Sequence, residues 1–247
     1  MVRILHIAAV TMLAFVLLGL CPSLSRSMSV PHADRATAEN LIINGGFEKE
    51  FLGWTQQGCV SCGAISALIA HDGQKSYSVD TTAVNTGTFV WQSLPEGIQD
   101  FELRIFVYRE EKNAVFELVR NWDPVTGRAD FVTEVNFAYP SSGTLRLKAW
   151  NTELVTNLIW PSYGWHELTI VANWSEARQE FFLDNRLVGV IQAPMVFLPE
   201  HVILGDVRGQ GWRARYFFDG LSLLPSRPCP YLIYMPFLTK HSVAGNA

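Results

Sequence analysis

The chain is short of most of the chemistry that announces an enzyme. Its six histidines (His6, His32, His71, His166, His201 and His241) form no cluster with metal-ligand spacing. There is no Gly-x-Ser-x-Gly elbow and no glycine-rich phosphate loop. Basic residues are outnumbered, 19 Lys and Arg against 23 Asp and Glu. That balance argues against a nucleic-acid partner, because phosphate binding needs concentrated positive charge. Cysteine is scarce too, four in 247 residues, so a buried core rather than a disulfide framework must hold the fold together. A convincing long amphipathic helix is also missing.

One long apolar run is present, and it opens the chain. Residues 1–20, MVRILHIAAVTMLAFVLLGL, carry an early arginine and then apolar residues, the layout of a secretory signal peptide. Cleavage is expected after Ser25 or Ser27, with Ala-Thr-Ala at 36–38 as a second site. Residues 1–27 are therefore taken as the signal peptide and 28–39 as a polar linker. Cys21 sits where a lipobox cysteine would, but Leu20 before it is not small, so ordinary secretion ranks above lipidation. Removing residues 1–27 takes away Arg3 and Arg26 and no acids, which leaves a net charge of −6. No later segment is long and apolar enough to span a bilayer, so a secreted or cell-surface location is expected.

Cys59, Cys62 and Cys229 remain after cleavage. The first two lie in a glycine-flanked loop before a strand, not at a helix start, which argues against thioredoxin-type chemistry. In an exported protein a disulfide is expected. Cys59–Cys62 is the local pairing, and Cys229 to either one would tie the C-terminal tail to this loop. One cysteine is left over in every case.

The rest reads as short runs of period two, bounded by Gly, Pro, Asn and Asp. In DFELRIFVYRE, Phe101, Leu103, Ile105 and Val107 share a face, with Glu102 and Arg104 opposite. GTLRLKAW places Leu145, Leu147 and Ala149 inward, and Arg146, Lys148 and Trp150 outward. WHELTIVANW gives an inward set of Leu168, Ile170 and Ala172. ARQEFFLDNRLVGVI reads as a hairpin turning at DNR, and DPVTG turns between two further strands. About ten or more strands of this kind predict an all-β fold, a two-sheet antiparallel β-sandwich over residues 40–225. The tail, 226–247, contains prolines that argue against a central strand, and its apolar YLIYMPFL packs on the body or serves in surface attachment.

NLIINGGFEKEFLGW, followed by DGQKSYSVD and closed by YFFDGLSLL, resembles carbohydrate-binding jelly-roll modules. GWHELTIVANWSEARQEFFLDNRLVGVI resembles the concanavalin-like and laminin-G-like lectin and glucanase sandwiches. Both resemblances imply the same two-sheet architecture and a carbohydrate partner. The jelly-roll likeness also implies a structural calcium held between Glu48 and Asp219, although Asp-Gly at 219–220 stands where the family often has two aspartates. The tail resembles a short apolar ending on secreted proteins of filamentous green non-sulfur bacteria, which implies a bacterial origin.

Sugar binding needs flat aromatics facing water beside hydrogen-bonding groups. By alternation Trp150 is the leading candidate, with Arg146 and Lys148 on its face. Trp122 at the mouth of a turn and Trp212 in a glycine- and arginine-rich stretch are the others, while Trp54, Trp91 and Trp165 are expected in the core or plugging its ends. The Glu-x-Asp-x-x-Glu strand of retaining glucanases is missing. Three readings result. The first is a secreted, non-catalytic carbohydrate-binding protein that uses exposed aromatics. The second is a structural or adhesive surface protein that binds protein. The third is a divergent glycoside hydrolase or polysaccharide lyase, which a carboxylate pair close across one sheet face would favour.

Overall fold

A computed structural model describes residues 39–84, 86–111, 115–138, 143–194, 196–205 and 214–225. The signal and linker expectations, Trp212, Cys229 and the tail fall outside these residues.

Among the described residues there are fourteen strands: β1 (Thr55–Gly58), β2 (Gly63–Ser66), β3 (Ser76–Asp80), β4 (Thr88–Ser93), β5 (Phe101–Glu111), β6 (Val115–Asp123), β7 (Arg128–Asn136), β8 (Arg146–Ala149), β9 (Thr152–Val155), β10 (Trp165–Asn173), β11 (Arg178–Leu183), β12 (Arg186–Gln192), β13 (His201–Gly205) and β14 (Arg215–Pro225). They form two seven-stranded antiparallel sheets, ordered β1-β4-β13-β6-β7-β8-β9 and β12-β11-β10-β5-β14-β3-β2. This is a β-sandwich, as the period-two pattern predicts. Among the described residues no helix is long and apolar enough to cross a membrane.

Alternation decides which side of each strand is dry. Phe101, Leu103, Ile105 and Val107 all enter one core, together with Leu145, Leu147, Ala149, Leu168, Ile170 and Ala172. Burial of such side chains stabilises by about 1.5–3 kcal/mol each, which is why register is strongly specified here. One polar bridge crosses the core. Thr133 Oγ1 on β7 donates to Gln179 Oε1 on β11 at 2.9 Å, and Gln179 Nε2 donates to Val132 O at 3.2 Å. The hairpin expected at DNR turns on Asp184 and Asn185, both at positive φ, between β11 and β12.

The Asn-Gly-Gly-Phe segment lies along β14. Leu41 N donates to Leu223 O at 2.9 Å, and Leu221 N to Gly45 O at 3.1 Å. Phe47, at φ 56°, then turns into the sandwich and packs on Trp54 and Tyr77, with ring centroids 5.2 and 5.7 Å away. Cys59 and Cys62 are joined as a disulfide around a single 3-10 turn, Val60–Cys62.

Candidate functional site

The outer face of the first sheet gathers most of the side chains with binding chemistry. Antiparallel register aligns one row across it: Trp91 on β4, Ile203 on β13, Glu117 on β6, Glu134 on β7, Lys148 on β8 and Glu153 on β9. A parallel row carries His201, Val119 and Phe131. Half of this face is aromatic and apolar. Phe89, Val119 and Ile203 form a satellite cluster there, with Trp91, Trp122 and Phe131 packed against it. The other half is charged.

Arg146 and Lys148 face outward as the alternation predicts. Arg146 Nη2 is 2.8 Å from Glu153 Oε2 and 4.0 Å from Glu134 Oε1, and Lys148 Nζ is 4.0 Å from Glu134 Oε2. Lys148 also lies 4.4 Å above the centroid of the Phe131 ring, a cation–π contact. Glu117 and Glu134 are 3% and 1% exposed. Beside them, a depression of about 510 Å³ is lined by Asn121, Gly127, Arg128, Ala129, Asp130, Phe131 and Lys148. Its lining combines one aromatic ring, Phe131, with the polar side chains of Asn121, Arg128, Asp130 and Lys148.

Trp150 does not belong to this face, and the structure corrects that expectation. β8 ends at Ala149, and Trp150 sits at φ 48° in the tight turn to β9. Its amide donates to Val132 O, and its indole Nε1 donates to Phe197 O at 3.1 Å. The side chain is 2% exposed. Positive φ breaks the alternation that placed the ring in water, and Asn151, a turn-forming residue, is the sequence signal that marks the break. Trp122 is half-buried on the outer face, its ring edge-on to Phe89 at 5.6 Å. Trp91 and Trp165 are also corrected. They lie half-buried on the outer faces of the first and second sheets instead of in the core, whereas Trp54 is buried as expected.

Glu48 and Asp219 are both engaged with the 71–75 loop. Asp219 Oδ2 accepts His71 N at 2.7 Å and Asp72 N at 3.0 Å, and its Oδ1 accepts Gly220 N at 2.7 Å. Glu48 Oε1 accepts Gln74 N at 2.7 Å and Lys75 N at 2.9 Å. Burial pushes the Asp219 carboxyl above the usual range, against the pull of its three amide donors. Calcium needs six to eight oxygens, and here amide N–H groups point at the carboxylates instead. Among the described residues no three His, Cys, Asp or Glu side chains converge to hold a metal. The arrangement does not fit the ion.

His201 lies on the site face, its ring edge-on to Trp91 at 5.4 Å. Burial lowers its pKa, opposed by Glu200. A histidine whose folded pKa is depressed contributes stability above its unfolded pKa, near 6.5, and loses it as pH falls toward the folded value. Thermal melts between neutral pH and mild acid are expected to show falling stability that His201→Gln flattens. Parallel curves for the two proteins would contradict this.

No family model matches the chain, and no curated protein matches it. Several solved structures do. The carbohydrate esterase vb_24B_21 from Shiga toxin-encoding bacteriophage phi24B superposes with a TM-score of 0.55 at 12% identity, covering 76% of this chain and 100% of that one. The metal-free carbohydrate recognition domain of Emp46p gives 0.53 at 12% identity, over 77% and 96%. The exoplasmic/lumenal domain of VIP36, in a Ca²⁺/Man-bound form, gives 0.50 at 13% identity, over 71% and 84%. At these identities the likeness establishes a shared β-sandwich fold.

Proposed function

We propose that this protein is a secreted carbohydrate-binding protein, its 40–225 domain exported by cleavage of residues 1–27, and that the outer face of the first sheet holds the glycan. The observation that carries the reading is the depression lined by Phe131 together with Lys148, Arg128, Asn121 and Asp130. A sugar presents an apolar ring face to an aromatic and hydroxyls to charged and amide groups. The printed descriptions of the superposing structures, an esterase of carbohydrates, a carbohydrate recognition domain and a mannose-bound form, support the same class. The aromatic contact falls to Phe131 and Trp122 in place of Trp150.

A glycan array probed with the mature protein tests this. Binding to at least one glycan is expected. Lys148→Ala, which removes a charged hydrogen-bond donor, should weaken binding by about 10–100-fold, and Phe131→Ala by about tenfold. Tyr108→Ala, on the second sheet, should leave binding unchanged. Parent-like binding by both site variants, with unaltered circular dichroism, would discard this face.

One observation favours catalysis as a second reading. Glu117 and Glu134 are direct cross-strand partners, and opposite Cβ atoms lie about 4.5–5.5 Å apart, compatible with the ~5–5.5 Å carboxyl spacing of retaining glycosidases. Incubation with the bound glycan separates the two readings. Binding alone gives no cleavage product, whereas product formation abolished by Glu117→Gln would move the protein to the hydrolases.

Glu48 and Asp219 act in this reading as staples for the 71–75 loop rather than as calcium ligands. Adding calcium to EDTA-treated protein is expected to leave the melting temperature unchanged. A rise that grows with calcium concentration, as binding to the native state alone requires, would restore the ion.

A further inference from the structure

The row across the first sheet extends well beyond the depression. From Lys148 on β8 it passes Glu134, Glu117 and Ile203 to Trp91 on β4, four inter-strand steps of about 4.8 Å, or roughly 19 Å. Its chemistry changes along the way. Lys148 over Phe131 marks one end, two carboxylates stand in the middle, and Trp91 with His201 closes the other end. Three ring nitrogens on this side, Trp91 Nε1, His201 Nδ1 and Trp122 Nε1, have no hydrogen-bond partner among the described residues. Those nitrogens are buried, and what Trp91 and His201 offer a ligand is the partly exposed surface of their half-buried rings.

From this we infer that the ligand is a linear oligo- or polysaccharide lying across the strands, with the Phe131 depression taking one sugar and Trp91 with His201 forming a distal subsite. A pyranose unit in an extended chain advances about one strand spacing, so roughly 19 Å of row accommodates about four residues. The charged centre suits hydroxyl recognition. Arg146 and Lys148 donate to sugar hydroxyls, held in place by Glu134 and Glu153. The inference rests on the carbohydrate reading above and adds to it the length and direction of the ligand.

Calorimetric titration with cello-, manno-, xylo- and galacto-oligosaccharides of one to six residues tests it. For the series that binds, affinity should climb about fivefold per added residue up to about four residues and then level off. Trp91→Phe, which shrinks the aromatic platform, and Trp91→Ala, which removes it, should both lower tetramer affinity and leave the dimer unchanged. Lys148→Ala should weaken dimer and tetramer alike. A monosaccharide that binds as tightly as the hexamer overturns the inference while leaving carbohydrate binding intact. So does a Trp91 variant that weakens short and long ligands equally. The length series on the unaltered protein stands even if Trp91→Ala fails to fold. Failure of every series to bind would remove the carbohydrate reading itself, and the inference with it.

Discussion

Alanine at Phe47 is expected to cost about 3–5 kcal/mol of folding stability. The ring is fully buried. It meets Trp54 and Tyr77 at the point where the N-terminal segment enters the sandwich, so its removal leaves a cavity between groups pinned elsewhere. Trp54 Nε1 donates to Asn44 O, and Asn44 Oδ1 accepts from Lys49 N, so the surrounding turn cannot collapse freely into the gap. Urea titration should show a lower midpoint at an unchanged slope, and the melting temperature should fall on the order of 10 °C. A loss below about 1 kcal/mol would mean that the opening segment is peripheral to the core.

Gly45 is expected to be as intolerant, for a different reason. A Cβ added there would lie 1.9 Å from Leu221 O and 2.9 Å from Leu221 C. The obstacle is backbone, and it belongs to the strand that accepts and returns the segment's hydrogen bonds. Either β14 or the opening segment must then move, at about 3 kcal/mol or more, the upper end of overpacking costs. Two other glycines calibrate the effect. Gly97 has φ 83° and nothing within 4 Å of its added Cβ, so Gly97→Ala pays only the left-handed penalty of about 1–2 kcal/mol. Gly46 meets Asp219 Oδ1 at 3.5 Å, an ordinary contact, and should tolerate alanine best of the three. Chemical denaturation of the three variants should rank them in that order, Gly45→Ala worst. Equal costs for Gly45 and Gly97 would show that the segment does not lie against β14.

These two positions also show what was readable in the sequence. Alternation assigns the inner face of β5, β8 and β10 correctly because each inward side chain gains burial that a one-residue slip would forfeit. The Gly-Gly-Phe of the opening stretch is visible in the sequence, but the close approach of Gly45 to Leu221 that demands the glycine is a tertiary contact. Trp150 shows where alternation stops, since one residue at positive φ reverses the direction of everything after it. Glu117 and Glu134 stand in the acidic segments REEKNAVFE and DFVTE, but the sequence does not pair them. Each is a lone acid within an apolar strand, and only the register of β6 against β7 brings them opposite one another. The turn at 124–127 is short, but the hairpin's register shifts between Leu118 and Val119 and between Arg120 and Asp123, so counting outward from the turn does not give the pairing. Glu48 and Asp219 are singled out as calcium ligands, and residue type cannot distinguish a carboxylate that binds a cation from one that accepts backbone amides. Burial and the direction of the 71–75 amides decide that.

The second sheet offers a natural comparison surface. Its outer face carries Trp165 and Phe217 on either side of Tyr108, with ring centroids 5.7 and 5.9 Å from the tyrosine, so aromatic content alone does not single out the first sheet. The first sheet brings together a depression lined by Phe131, Arg128 and Lys148, the Lys148–Phe131 contact, and a charged row leading away from it. A crystal structure of the protein soaked with a glycan selected on the array tests that assignment most directly. The account predicts a sugar ring stacked on Phe131 within hydrogen-bonding distance of Lys148 Nζ, and a chain running toward Trp91. Ligand density over Tyr108 and Trp165, with the Phe131 depression empty, would contradict it.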